Sequence, residues 1–243
     1  MLVLGIETSG VDGSVALTRY GELLGERRLN QAGRKHAQGL IFEIGEVLRE
    51  QGLTPRDLQL VAVSRGPGSF TGLRVGMVCA KTIAYATGCR LIAVDTFAAI
   101  ASGTPDHASP LHVIEDAQRD DLFLGEYSRD AHSQWHQTSA IRIVSIPSFL
   151  ELCQSPITVT GPGLKKLDRD DRLLESLPVT RIPLDQPPAR VIAEIGRLEI
   201  ERAELSGETA DTDFWSASPF YLRLSAAEEK RAAQAGAAPP ISP

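Results

Sequence analysis

The sequence has few of the residues that mark secreted, zinc-binding or membrane-spanning proteins. Its three cysteines form no CxxC pair and have no histidine at ligand spacing. This argues against a disulfide framework and a zinc site, and buried thiols are the simpler interpretation. No apolar run approaches the roughly 20 residues that a membrane span needs, and the apolar start at residues 2–6 meets Glu7 with no basic segment before it. We therefore expect a cytoplasmic protein that does not enter a membrane.

Aromatic residues and positive charge are also scarce. Aromatic residues make up 5% of the 243 residues, and the formal net charge is −6. Because contacts to phosphate supply most of the affinity for nucleic acid, an acidic chain is expected to bind RNA poorly by itself. The basic exception is a cluster of Arg27, Arg28, Arg34 and Lys35. A solvated loop is the favoured interpretation of this cluster, and the alternative is a contact for an acidic partner or a phosphate backbone.

The most informative stretch is a glycine-rich loop, with Gly66, Gly68 and Ser69, that leads directly into a helix. Such a loop can present backbone N–H groups to an anion at the helix N-terminus. Small residues then recur at every fourth position, on one face of the helix, where they permit close packing. These residues are Gly72, Gly76, Ala80, Ala84 and Gly88.

Two interpretations of the loop are open, phosphate binding and a tight turn with close packing, and the second is favoured. A Walker-type loop has Lys and then Ser or Thr after its last glycine, whereas Leu73 and Arg74 follow Gly72. The pattern GxSxG is also absent, so Ser69 is not expected to be a nucleophile.

The hydrophobic periodicity predicts the same order of elements twice. The first half contains strands at 2–8, 13–19, 22–29, 59–64 and 90–94, with helices at 36–50, 71–87 and from about Asp95. The second half contains strands at 111–115, 121–127, near Ile141 and 157–160, with helices at 147–153 and 189–205.

This repetition predicts an α/β fold of two lobes, each with a mixed sheet flanked by helices, of the kind that clasps a nucleotide. We expect the lobes at residues 1–104 and 105–224. Residues 225–243 are expected to be a disordered tail, because they lack apolar periodicity. In the first hairpin, Thr8, Ser9 and Ser14 are candidates for contacting a nucleotide phosphate.

Several motifs resemble those of the TsaB family, also called YeaZ. The most specific is the run RGPGSFTGLR from Arg65, which follows the opening GIETS from Gly5. Later segments agree: DAQR from Asp116, TGPG from Thr160 and PFYLR from Pro219. The resemblance covers residues 1 to about 224. Glu7 departs from it, because the family usually has Asp there.

The resemblance implies an actin-like ATPase (ASKHA) fold and a role in making N6-threonylcarbamoyladenosine at position 37 of tRNA. In that family TsaB is the non-catalytic partner of the transferase TsaD, and a third protein, TsaE, supplies ATPase activity. TsaB-like proteins also form homodimers. The resemblance therefore implies that tRNA is bound only through the complex, and that no cofactor is required, although ATP or ADP has a place at the partner interface.

The residues themselves argue against catalysis. TsaD carries a metal-binding HxxxH after the same loop and helix, and here the matching positions fall near Thr96 and Ile100. Neither side chain offers a nitrogen ligand. We therefore expect no metal site and no catalytic residue, and a metallopeptidase is disfavoured. The alternative function is an independent ATPase or small-molecule kinase of the same fold.

His107, His112, His132 and His136 do not rebuild a metal site, and we expect them to lie at the surface or to be partly packed. The spacing of four between His132 and His136 mimics a helical metal pair, but nothing between them marks a helix.

The partner interface is predicted on the helices at 36–50 and 71–87. The alternative is that the small residues pack only on their own sheet. On the interface hypothesis, Gly76→Leu should abolish heterodimer formation and leave the monomer folded. The candidate interface residues are His36, Leu40, Ile44, Phe70, Gly72, Leu73, Gly76, Met77, Ala80 and Ala84.

Overall fold

The computed structural model describes residues 1–10, 12–29, 36–105, 110–130, 134–168, 174, 176–184, 187–208 and 210–223. Its strands are β1 (Leu2–Glu7), β2 (Ser14–Arg19), β3 (Glu22–Arg28), β4 (Leu60–Gly66), β5 (Arg90–Asp95), β6 (Leu111–Asp116), β7 (Asp121–Arg129), β8 (Trp135–Ser145), β9 (Ile157–Thr160) and β10 (Val179–Ile182). Its α-helices are α1 (His36–Glu50), α2 (Phe70–Thr87), α3 (Thr96–Ser102), α4 (Ile146–Leu152), α5 (Leu164–Asp168) and α6 (Ala189–Ser206).

The first sheet has the strand order β3-β2-β1-β4-β5. Strands β1, β2 and β3 pair antiparallel, whereas β4 is parallel to β1 and β5 is parallel to β4. Every residue of β1 is buried, as expected for a central strand that is covered on both faces. Leu4 and Ile6 point into a core shared with α1 and α2, and Val3 points into a second core shared with α6.

The second sheet has the strand order β10-β9-β6-β7-β8. Read from β8 to β10, this is the same order as in the first sheet: third, second, first, fourth and fifth strand of the lobe. Strands β6, β7 and β8 are antiparallel, and β9 and β10 continue the sheet in parallel. One face packs on α3 through Phe97 and Ile100. The other face packs on α4 and α5 through Phe149, Leu164 and Leu167.

Two mixed sheets with the same order, each flanked by helices, confirm the two-lobed α/β fold that the sequence predicts. The structure adds β10, α5 and a short 3-10 helix at Pro55–Asp57. The boundary near residue 104 stays a prediction. Helix α6, however, belongs to the predicted second lobe in sequence and packs on the first sheet. The predicted tail at 225–243 lies outside the described residues.

Candidate functional site

The glycine-rich loop connects β4 to α2, and its polar groups bind other parts of the chain. The Ser69 N–H donates to the Ser9 carbonyl at 2.6 Å, and Ser69 Oγ caps α2 by accepting from the Gly72 N–H. The Gly66 N–H donates to Thr96 Oγ1 at 3.1 Å. Gly66 has a φ of 109°, in the region that favours glycine.

The small residues of the loop and helix press against the end of β1. A Cβ added at Gly72 would lie 2.0 Å from the Thr8 carbonyl oxygen, and one at Gly76 would lie 2.1 Å from Thr8 Oγ1. At Gly68 it would lie 2.4 Å from the Ser9 carbonyl oxygen. Glycine is therefore needed here for close packing within the chain. This favours the interpretation that the small residues pack on their own sheet over a contact with a partner.

The predicted phosphate contacts gather at this junction, but they are buried. Thr8, Ser9 and Ser14 have almost no exposed surface. Ser14 Oγ accepts a hydrogen bond from the Ala189 N–H at 3.0 Å, and the Thr8 N–H donates to Ser64 Oγ at 3.2 Å. Their contact with a nucleotide phosphate stays a prediction.

Glu7 lies at the same junction and is completely buried. Its Oε1 accepts a hydrogen bond from the Ser9 N–H. Burial raises the pKa of the carboxyl group to about 7, and the negative charge of Glu115 acts in the same direction, whereas hydrogen bonds from Ser9 and Ser64 oppose it. Glu7 is the last residue of β1 and Glu115 is the last but one of β6. The duplicated fold therefore brings the carboxyl ends of the first strand of each lobe within electrostatic reach of each other.

Most of the predicted interface residues are buried inside the first lobe of the single chain. They are Leu40, Ile44, Gly72, Leu73, Gly76, Met77, Ala80 and Ala84. Their contact with a partner stays a prediction. A pattern of small and apolar residues identifies the buried side of a helix, and it cannot distinguish the chain's own sheet from another molecule. The side chain of His36 lies outside the described residues.

Phe70 is partly exposed and takes part in a cluster at the start of α2. The Arg74 guanidinium stacks 3.9 Å from the centre of its ring, and the ring of Tyr221 lies 5.0 Å away. Among the predicted interface residues whose side chains the structure describes, Phe70 is the one with exposed surface.

The exposed sides of α1 and α2 carry a different set of large apolar residues. The exposed fractions are 68% for Ile41, 42% for Phe42, 63% for Val78 and 72% for Tyr85. Helices α1 and α2 pack against each other, so these residues lie on neighbouring helices. Their position opposite the buried stripe of each helix is the sequence signal that predicts their exposure.

The basic cluster is partly neutralised within the chain. Arg27 forms ion pairs with Glu43 at 2.5 Å and with Glu50 at 2.9 Å, and both carboxyl groups belong to α1. Glu43 is buried. Arg34 and Lys35 lie outside the described residues. The cation of Arg27 therefore fixes α1 on β3, which favours the structural interpretation for this part of the cluster.

The two positions that match the metal ligands of TsaD have structural roles. Thr96 is buried and accepts the Gly66 hydrogen bond, and Ile100 lies in the core of the second lobe. His112 is on β6 and His136 pairs with Asp130 at 2.8 Å; His107 and His132 are not among the described residues. Across the described parts of the chain, no three His, Cys, Asp or Glu side chains are placed to share a metal ion. Nor does any helix there have the length and apolar character to cross a membrane.

The duplicated five-stranded sheets and the helices between them define an actin-like α/β protein. Among solved structures, YeaZ from Pseudomonas aeruginosa matches this fold with a TM-score of 0.71 at 22% identity, over 91% of this chain and 99% of that one. Residues 22–148 match the family model described as TsaD, tRNA N6-adenosine threonylcarbamoyltransferase.

Two relatives carry the name tRNA threonylcarbamoyladenosine biosynthesis protein TsaB. The protein from Escherichia coli is 31% identical over 145 residues, 58% of this chain and 62% of that protein. The protein from Bacillus subtilis is 26% identical over 235 residues, 95% of this chain and 97% of that protein. The chain belongs to the family of the TsaD model, and within it to the TsaB (YeaZ) proteins.

Proposed function

We propose that this chain is a non-catalytic subunit in the formation of N6-threonylcarbamoyladenosine at position 37 of tRNA, and that it acts by binding a TsaD-like transferase. The names of its relatives support the pathway. The match to a family model named for the transferase supports a common fold for the two partners. Proteins with the same fold can pair through equivalent surfaces.

The observation that carries the proposal is the exposed apolar surface of α1 and α2. Single exposed apolar residues are ordinary, but a group of them on adjacent helices marks an interaction site. Ile41 and Phe42 are exposed on α1, Val78 and Tyr85 are exposed on α2, and the two helices pack against each other. The interface is therefore proposed on the same two helices as the sequence predicts, through their outer rather than their inner residues.

A supporting role, rather than catalysis, fits the positions where the transferase holds its metal. Thr96 is committed to the Gly66 backbone and Ile100 to the core. The proposal therefore needs no metal and no nucleotide on this chain alone. It includes ATP or ADP at the partner interface and a TsaE-like ATPase in a larger complex, through which alone the tRNA is bound. When the transferase is absent, the chain is proposed to form a homodimer. The whole process is proposed to take place in the cytoplasm.

The test is reconstitution of tRNA modification from purified proteins, with and without this chain. We expect modified tRNA to be lost when the chain is left out, and the chain alone to form none. Substantial ATP hydrolysis by the chain alone would instead support the independent ATPase.

The interface is tested with Val78→Asp, which places a charge on the exposed side of α2. Leu205→Asp is the matched control, because Leu205 is 89% exposed on α6, which covers the opposite face of the first sheet. We expect Val78→Asp to weaken co-purification with the transferase at least about tenfold and Leu205→Asp to leave it unchanged. Equal binding by both variants would place the interface elsewhere.

A further inference from the structure

Residues 210–223, which we call the strap, follow α6 and run along α2 before reaching the second lobe. Phe214 and Ala217 pack on the core beneath α1 and α2. The rings of Phe214 and Trp215 lie 6.0 and 6.5 Å from that of Tyr85. Lys81 Nζ donates to the Trp215 carbonyl at 3.4 Å. The first part of the strap is therefore attached to the first lobe.

The middle of the strap contacts both lobes at once. The Phe220 N–H donates to the Arg65 carbonyl at the end of β4, at 2.7 Å. The Phe220 side chain packs with Leu222 on the core of the second lobe. Next to it, the Tyr221 hydroxyl accepts a hydrogen bond from Arg74 Nε of α2 at 2.9 Å.

The end of the strap is held by the turn between β6 and β7 in the second lobe. Arg223 forms an ion pair with Asp121 and donates to the carbonyls of Ala117 and Gln118. The Arg223 side chain is 19% exposed and that of Asp121 is 27% exposed. A charge-assisted contact with this little solvent exposure is stronger than an ordinary surface pair.

We propose that the strap is a clamp that holds the two lobes in one relative orientation. Rotation of one lobe against the other would separate Phe220 from Arg65, or Arg223 from Asp121, because these contacts lie on opposite lobes within a few residues of the same segment. The segment is too short to follow such a motion and keep both ends attached. The outer surface of α2 is thereby fixed relative to the β6–β7 turn, which is a property of the isolated chain and does not depend on its proposed partner.

Hydrogen exchange on the purified full chain tests the clamp through effects that cross from one lobe to the other. The contacts that the structure describes for Arg223 lie in the second lobe. If the clamp holds the lobes together, Arg223→Gln should nevertheless accelerate exchange about fivefold to tenfold at residues 70–85 in the first lobe. Tyr221→Phe removes a single hydroxyl on the first-lobe side and should accelerate exchange at residues 117–121 in the second. Arg223→Lys, which keeps the charge, should restore part of the protection.

The matched control is Arg90→Gln, because Arg90 pairs with Glu204 inside the first lobe. This variant should change exchange near residues 90 and 204 and leave residues 117–121 unchanged. The proposal is overturned if the effects of Arg223→Gln and Tyr221→Phe both stay within the lobe that each side chain contacts. Tyr221→Phe leaves the ring contact with Phe70 in place, so it provides a folded variant even if Arg223→Gln is unstable.

Discussion

The two lobes are built on the same strand order and differ in what covers their sheets. The first sheet is covered by α1, α2 and α6, which have 15, 18 and 18 residues. The second is covered by α3, α4 and α5, which have 7, 7 and 5 residues, and its edge strand β8 is largely half-buried or exposed. The strand order is therefore the same in both lobes, whereas the longer helices give the first lobe the more extended helical surface.

The contacts made with the end of the first strand also differ between the lobes. In the first lobe, α2 approaches β1 directly through Gly72 and Gly76. In the second lobe, Gly161 approaches Ile114, and the turn after β6 is further held by the Lys166 ammonium group, which contacts Asp116 Oδ1 at 2.6 Å. The first junction depends on backbone proximity, and the second adds charged side chains.

The largest expected effect is that of adding a methyl group where α2 meets β1. Gly72→Ala should lower the free energy of unfolding by more than about 3 kcal/mol, because the new Cβ has no room against the Thr8 backbone. Gly161→Ala in the second lobe should lower it by about 2–3 kcal/mol, because the new Cβ would lie 2.4 Å from the Ile114 carbonyl oxygen and a φ of 105° disfavours a side chain. Urea denaturation followed by circular dichroism measures both, and a cost below 1 kcal/mol for Gly72→Ala would contradict the close approach.

By the same reasoning, Gly76→Leu is not a clean interface variant. Its side chain would collide with Thr8 inside the monomer. We expect it to reduce folding together with partner binding.

The next effect concerns the carboxyl group of Glu7, which has the higher pKa in the folded state. Between pH 4.5 and about 7 the folded state holds the extra proton, so this group's contribution to stability is present at low pH and is lost as pH rises through that window. Glutamine does not titrate, so it does not undergo this loss. As the pH rises from acid to 8, the free energy of unfolding of Glu7→Gln should therefore increase by up to about 3 kcal/mol relative to that of the unsubstituted chain. Denaturation at several pH values measures this, and a constant difference would contradict it. In the parent, Glu115→Gln should lower the pKa of Glu7.

A smaller effect is expected at the second lobe's charged junction. Lys166→Met should destabilise the chain by about 1 kcal/mol, because the Asp116 carboxyl group loses its cation but stays accessible to water. Urea denaturation measures the difference. If Lys166→Met is as stable as the unsubstituted chain, Lys166 does not stabilise the turn.

The smallest effect should be stabilising. Gly45 lies within α1, with open space where a Cβ would be, so Gly45→Ala should add about 0.5–1 kcal/mol through helix propensity. Together with Gly72→Ala it separates glycines that the packing needs from one that it does not. A thermal unfolding scan is sufficient to detect the difference.

The sequence predicts most of the fold because its local signals agree with each other. Ser69 caps α2 and Gly88 ends it in a left-handed conformation, as their residue types indicate. Strand β10 was missed because it is short and has exposed Thr180 and Arg181. The position of α6 was missed because its apolar face does not reveal which sheet it covers.

The candidate site was harder to predict than the fold. The sequence predicts a partner contact on α1 and α2 and assigns it to residues that the structure buries, and the contact itself stays a prediction. Hydrophobic periodicity measures how strongly a face avoids water, and Ala80 satisfies that requirement inside its own lobe. The same periodicity places Val78 on the outer side of α2, but the exposed apolar residues of α1 are recognised as its neighbours only once the two helices are packed together.

The return of α6 to the first sheet also has a consequence for synthesis. The apolar face formed by Val3, Leu60 and Ala62 is only partly covered until Ile192 and Ala193 have been translated. All five strands of the second sheet lie within residues 111–182 and leave the ribosome before then. The half of the protein that is translated first is therefore the half that is completed last, and its nascent chain carries an aggregation-prone surface for most of its time on the ribosome.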